Sequence, residues 1–240
     1  MHAVVFEAVP RFSLERYSKR IDYESALPVL STLDFSSLGL ARGPVAPTHF
    51  EIVINPYAIR RTERGAHLRY MYQLPHAPTL AGLGGGSHTA QGQDVLGILG
   101  AATLVAPGLS KPVASVAMST LEEGGPFTQS LGDTFAATTT AGFVMSCEIG
   151  VAQSDARRAV EAIVAVAGRS PWPGLGAVRY VKASPAFMAF TRFAPVTCTI
   201  ELPSAGSSLT AESFERVWDE LERRQIPHTL HWGQMLRYDA

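Results

Sequence analysis

Between residues 143 and 232 the hydrophobic period switches from two to 3.6 and back, twice over. The order is strand, helix, strand, strand, helix, strand, and no other stretch of the 240 residues narrows the fold as far. Residues 143–151 form the first strand pattern. Residues 153–167 form the first helix pattern: Ser154 is the candidate cap, Asp155 favours the positive helix end, and Ala156, Val160, Ile163, Val164 and Ala167 make one stripe. Gly168 is the expected stop. Strands follow at 177–183 and at 196–202, the latter with Val196, Cys198 and Ile200 on one face. The second helix pattern covers 210–224, with Thr210 as its cap and Phe214, Val217, Trp218 and Leu221 as its stripe. After Pro227 the run His228-Thr229-Leu230-His231-Trp232 reads as the last strand.

A β-α-β-β-α-β order is the split βαβ of the ferredoxin-like sandwich. The expected fold class is α+β, an antiparallel sheet backed by helices, with this ferredoxin-like unit as the C-terminal half over 142–240. Residues 1–141 form the other part. There, strands are expected at 3–6 and 12–17, with Phe12, Leu14 and Arg16 facing one way and Ser13, Glu15 and Tyr17 the other. A short helix at 23–33 holds Pro28, which starts it late or splits it. After a Gly-, Pro- and Ser-rich loop, residues 49–55 and 66–74 alternate cleanly and are joined by a polar turn, so they read as an antiparallel pair. Phe50, Ile52 and Ile54 share one face of the first; Leu68, Tyr70 and Tyr72 share one face of the second. Residues 94–104 and 112–121 read as a helix hairpin split by Pro107-Gly108, and 122–142 as an irregular crossing segment.

Charge narrows the partners. Twenty basic against 21 acidic residues leave a net charge of -1, which gives no basic footprint for nucleic acid. The longest apolar stretch, 95–118, is broken by Pro107, Gly108, Lys111 and Pro112, so no membrane span is expected. The first residues do not read as a secretory signal: they lack a basic region, and Glu7 and Pro10 cut the apolar run. Cys147 and Cys198 lie in apolar strand patterns and read as buried free thiols, which fits a cytoplasmic setting.

Motifs for a self-contained active site are sparse. Gly82-Leu83-Gly84-Gly85-Gly86-Ser87-His88 invites a phosphate-loop reading. The dinucleotide fingerprint wants Gly or Ala where Ser87 stands, and no P-loop Lys follows, so a turn or hinge is the better reading. His228 and His231 are three apart on a strand pattern, which sends them to opposite faces and argues against a shared metal. There is no Gly-x-Ser-x-Gly elbow, and neither Cys stands at a helix start.

His231-Trp232-Gly233, following an amphipathic helix and a short strand, resembles the His-Trp-Gly-Lys of sugar-lactone and alditol oxidases, FAD-linked oxidases of the vanillyl-alcohol oxidase superfamily. Further matches run upstream in order. Val4 to Pro10 looks like the strand by which those proteins leave their FAD domain. His49-Phe50-Glu51 with Asn55-Pro56-Tyr57, Cys147-Glu148-Ile149-Gly150-Val151 and Val178-Arg179-Tyr180-Val181 are similar to three more of their strands. The resemblance covers nearly the whole chain, but only the substrate (cap) domain of the family.

It implies that 1–240 is a cap over FAD held by a separate FAD-binding domain or chain, with a hydroxyl-bearing small molecule as substrate. By the same resemblance Arg179 is the catalytic residue, Arg179 and Glu148 bind substrate, and His231, Trp232, Gly233 and Gln234 lie at the flavin edge. Two departures count against sugar or polyol oxidation: Gln234 replaces the family's Lys, and Ala177 stands where alditol-type enzymes have Glu. The Gly-rich FAD-binding domain is missing from these 240 residues. The rival expectation is a stand-alone ferredoxin-like binding or assembly module without redox activity; a lyase or isomerase using Arg179 and Glu148 is a third.

Overall fold

A computed structural model describes residues 11–76, 106–130, 134 and 144–237. Eight strands form one antiparallel sheet. In chain order the elements are β1 (Phe12–Ile21), α1 (Tyr23–Thr32), β2 (His49–Ile54), β3 (Ala66–Pro75), α2 (Ser110–Ser119), β4 (Gly124–Ser130), β5 (Val144–Met145), β6 (Glu148–Ala152), α3 (Ala156–Arg169), β7 (Gly176–Lys182), β8 (Val196–Glu201), β9 (Ser204–Ala205), α4 (Ser208–Arg223) and β10 (His228–Leu230). The order across the sheet is β10-β6-β8-β7-β2-β3-β1-β4, and β5 and β9 pair separately. The chain is therefore α+β with a large antiparallel sheet.

Register sorts the side chains. Ile149, Ile200, Val178, Ile52 and Leu68 stand opposite one another across five strands. All five are buried, on the face covered by helices. Each fully buried aliphatic side chain contributes about 2 kcal/mol of transfer free energy. The helices supply the other half of this core: Val160, Ile163 and Val166 from α3, Phe214, Val217, Trp218 and Leu221 from α4, and Ala26, Val29 and Leu30 from α1. Period two then sends the neighbouring row, Gly150, Thr199, Arg179, Glu51 and Arg69, to the opposite face.

The pairing of 49–55 with 66–74 and the faces expected for Phe50, Ile52, Ile54, Leu68 and Tyr70 are found. Several boundaries differ. β1 runs on to Ile21, because β3 offers ten paired residues. Pro28 sits inside one continuous α1 that Asp22 caps at Ser25 N–H (2.9 Å). Glu24, Ser25 and Pro28 are exposed, so the hydrogen bond that Pro28 cannot donate is lost to water rather than in the core. Within the expected crossing segment, Gly124–Ser130 is a strand on β1, the edge of the sheet. The run 143–151 breaks into β5 and β6, where Cys147 C=O turns aside to accept from Leu202 N–H (2.9 Å).

Caps account for the remaining differences. A 3-10 turn, Gln153–Asp155, precedes α3, and Ser154 makes no capping bond there; Asp155 instead holds Arg158 (2.7 Å). Gly168 lies within α3, which ends at Arg169 with Ser170 as its C-cap. α4 is capped by Ser207, whose Oγ accepts from Thr210 N–H (3.0 Å), while the Thr210 hydroxyl donates to Ala205 C=O (2.6 Å). β10 stops at Leu230. The strand expected at 3–6, the glycine run at 82–88 and the helix at 94–104 lie outside the described residues.

Ser207→Ala is expected to lower the unfolding free energy by about 1 kcal/mol. Ser154→Ala should change it by less than about 0.5 kcal/mol. Urea denaturation of the two variants beside the parent chain checks the pair.

Candidate functional site

The face of the sheet away from α1, α3 and α4 carries a row of charged side chains across its central strands. Arg179 leaves β7 at its centre. Its guanidinium pairs with Glu201 of β8, and stands 3.8 Å from Glu51 of β2 and 3.8 Å from Glu148 of β6. Glu51 also pairs with Arg69 of β3 at 2.5 Å. The Ser146 hydroxyl donates to Glu201 (3.2 Å). One polar strip thus crosses β6, β8, β7, β2 and β3, and it holds three carboxylates against two guanidiniums. Burial works against the charge on Arg179, but Glu201, Glu51 and Glu148 together outweigh it and push its pKa up.

Two features border the strip. At one end α2 lies over Val53, with Ala114, Met118 and Leu175 forming a small core of their own. Residues just past α2 are tied down by charge: Glu122 pairs with Arg16 (2.8 Å), Glu123 pairs with Arg64 (2.9 Å), and the Glu122 carbonyl meets His67 Nε2 (2.9 Å). At the other end the connection from β7 to β8 folds over β6 and β10. Phe190 C=O accepts from the Thr229 hydroxyl (2.5 Å) and would stand 2.6 Å from a Cβ at position 150, so only glycine fits there. Trp232 Nε1–H donates to Met188 C=O (3.0 Å), and the rings of Phe190 and His231 meet edge to face with centroids 4.6 Å apart.

Of the residues singled out in the sequence, Arg179 and Glu148 come together. His231 joins them through its backbone, its N–H donating to Glu148 C=O (2.9 Å). Trp232, Gly233 and Gln234 follow on the same edge. Trp232 is 60% exposed, and Gln234 keeps a buried Oε1 with no hydrogen-bond partner among the described residues. β10 is three strands from β7, about 14 Å at the usual strand spacing, so the His-Trp-Gly run and Arg179 border one face without touching. Glu51, Glu201 and Arg69 complete the strip without any motif that points to them. Their signal was present: each takes a polar slot in an alternating strand. Cys147 and Cys198 are buried free thiols whose pKa values burial pushes up. Among the described residues no group of three or more His, Cys, Asp or Glu could hold a metal ion, and no helix is long and apolar enough to cross a membrane.

Two predictions follow from the charges on this face. Burial pushes His67 and His49 below their usual imidazole range. The unfolded chain therefore takes up protons at about pH 6.5, and the folded protein only at lower pH. Stability should be flat above about pH 7 and fall as pH drops through 6.5 toward the folded values; His67→Gln should remove part of the fall, read as denaturant midpoints across that range. Separately, Glu51→Ala leaves Arg69 and Arg179 short of their most buried carboxylate. It should cost about 2 kcal/mol, less than a fully buried pair because both arginines keep some water. Glu201→Ala should cost about 1 kcal/mol or less in the same urea measurement.

Comparison with known proteins comes from structure alone, since no family model matches the sequence and no curated protein matches it. A solvent-stable cholesterol oxidase superposes with a TM-score of 0.55 over 94% of this chain and 50% of its own, at 10% identity. A berberine bridge enzyme variant described as a reticuline dehydrogenase gives 0.42 over 89% of this chain and 39% of its own, at 14% identity. A berberine-bridge-enzyme-like protein of Physcomitrella patens gives 0.39 over 88% and 42%, at 10% identity. The last two scores are too low to build on. The chain shares its fold with one part of the cholesterol oxidase, and it spans about half the length of that protein.

Proposed function

We propose that this chain is the substrate-binding (cap) part of an FAD-dependent oxidoreductase, acting on a hydroxyl-bearing small molecule beside a separate FAD-binding domain or chain. The observation that carries the reading is the likeness to a cholesterol oxidase over 94% of this chain and only half of that one. On this reading residues 142–240 are the ferredoxin-like half. The order β10-β6-β8-β7 supports it, since β6 and β7 run parallel with antiparallel β8 between them. Residues 1–141 extend the same sheet through β2, β3, β1 and β4.

The flavin would meet the face away from α1, α3 and α4 at its β10 edge. His231, Trp232, Gly233 and Gln234 would line it. The exposed Trp232 indole offers an apolar surface for a flat ring to stack on. FAD, when bound, supplies the hydride acceptor. The chain's own part is to bind and orient. Arg179, fixed by Glu201, Glu51 and Glu148, is a rigid donor in a partly dried site, the arrangement that holds a substrate oxygen in register. Glu148 and Glu201, whose remaining lone pairs are acceptors, suit the proton of a substrate hydroxyl. Buried free thiols at 147 and 198 fit a cytoplasmic setting.

Purified alone, the chain is expected to take up no stoichiometric FAD. Together with the FAD-binding chain it should give a yellow complex that an alcohol substrate reduces, and Arg179→Ala should lower kcat of that complex by about 100-fold. One-to-one flavin uptake by the lone chain would overturn the need for a partner. A flavin chain encoded beside it that forms no complex would overturn the oxidase reading.

A further inference from the structure

A second charged place lies in the helix layer, away from the Arg179 strip. A shallow hollow of about 230 Å³ opens between the end of α3 and the surface of α4. Arg169 is the last residue of α3 and Ser170 its C-cap. Arg216, Glu220 and Arg223 come from α4, spaced four and three apart and so on one stripe of it. Glu220 is 5% exposed and fully engaged. Its Oε1 accepts from Arg223 Nη2 and Arg224 Nε, both at 2.7 Å. Its Oε2 accepts from Arg223 Nε (3.0 Å) and Arg169 Nη2 (3.1 Å). These four donors fill the lone-pair sites of a carboxylate. The bonds from Arg223, then those from Arg224, hold its carboxyl down at about 2, so it stays ionised.

One negative charge therefore holds three guanidiniums. Arg216 is placed separately: it donates to the hydroxyl of buried Ser170, and Glu212 stands 3.6 Å away, beyond hydrogen-bond reach. Asp219 also lines the hollow, but Arg237 claims it at 2.6 Å and is held by Glu215 and Glu222 as well. α4 is thus polarised, acidic along Glu215, Asp219 and Glu222 and cationic along Arg216 and Arg223. On the cationic side four guanidiniums face Glu220 and the more distant Glu212, a local surplus of two in a chain whose net charge is -1. Among the described residues Arg169 and Arg216 each spend one N–H donor and Arg223 two, of the five that a guanidinium has. The three side chains are 54–67% exposed, so the remaining donors meet water.

Forks from two helices reach such a hollow from more than one direction. That matches an anion with three or more terminal oxygens better than the two coplanar oxygens of a carboxylate. We infer that this hollow binds a small tetrahedral oxyanion, the phosphate group of a free ion or of a small phosphomonoester, held by Arg169, Arg216 and Arg223. Such a site stands apart from the flavin reading, because α3 and α4 lie on the other side of the sheet from Arg179.

An NMR titration of the isotope-labelled full chain at fixed ionic strength tests this, with inorganic phosphate, phenyl phosphate and acetate as probes. Expected are saturable shifts at the amides around Ser170 and Arg216, with acetate roughly tenfold weaker than phosphate or more. Arg169→Ala and Arg216→Ala should each weaken phosphate binding about tenfold, the loss of one charge-assisted hydrogen bond. Arg216→Lys keeps the charge but not the fork and should cost about threefold. Arg61→Ala removes an exposed arginine elsewhere and should change nothing; the same spectra report whether each variant is folded. Phenyl phosphate bound at least as tightly as phosphate names a phosphomonoester as the ligand, and tighter inorganic phosphate names the free ion; either keeps the site. Shifts that do not saturate, shifts scattered over other arginines, acetate as strong as phosphate, or a loss matched by Arg61→Ala would overturn it.

Discussion

Glu51 is only 5% exposed, and it sits on β2, on the sheet face away from α1, α3 and α4. A carboxylate taken that far out of water costs several kcal/mol unless cations and hydrogen bonds offset it. The offset comes from both neighbours, Arg69 on β3 and Arg179 on β7. Arg179 is then drawn toward two further carboxylates, Glu201 and Glu148, and the chain of pairs crosses five strands. No member can be changed without leaving a neighbour short. Such a network fixes side-chain positions more than it adds stability, and fixed positions are what a binding surface needs.

The C-terminal half of the fold was legible because its two helices are strongly amphipathic and its strands are short and separated. Val160 and Ile163 on α3, and Phe214, Val217, Trp218 and Leu221 on α4, repeat at the spacing of one helix face, and all are buried. The errors gather where two local signals compete. Ser154 looks like a cap, but the chain first makes a 3-10 turn, and Asp155 is engaged by Arg158. Thr210 looks like a cap, but Ser207 three residues earlier accepts its N–H, leaving the Thr210 hydroxyl to seal Ala205. Gly124–Ser130 has little apolar content to mark it as a strand. It is one because β1 presents a free edge, a condition that only tertiary structure creates.

Part of the polar strip is legible in the sequence: a family-like pattern points to Arg179 and Glu148, and the structure brings the two within 3.8 Å. Glu51 and Glu201 were passed over because a single Glu in an alternating strand reads as a solvent-facing residue. Whether it meets water or an arginine depends on the partner strand. Cross-strand register decides that: Glu51 stands opposite both Arg179 and Arg69, while Glu201 stands opposite Ala177 and Glu148. The sequence holds the residues but not the pairing.

That register also bears on Ala177. In the alditol-oxidase pattern that the sequence resembles, this position is Glu. In the sheet Ala177 is paired with Glu201, so a carboxylate still stands at that level of the face, one strand over. With Glu148 opposite Glu201 on the other side, a glutamate at 177 would put three carboxylates in one row, within reach of a single arginine. Like charges at cross-strand distance repel. The small side chain at 177 is what lets Glu201 and Glu148 share Arg179. A carboxylate therefore stays in this row without a glutamate at 177, one strand nearer β6.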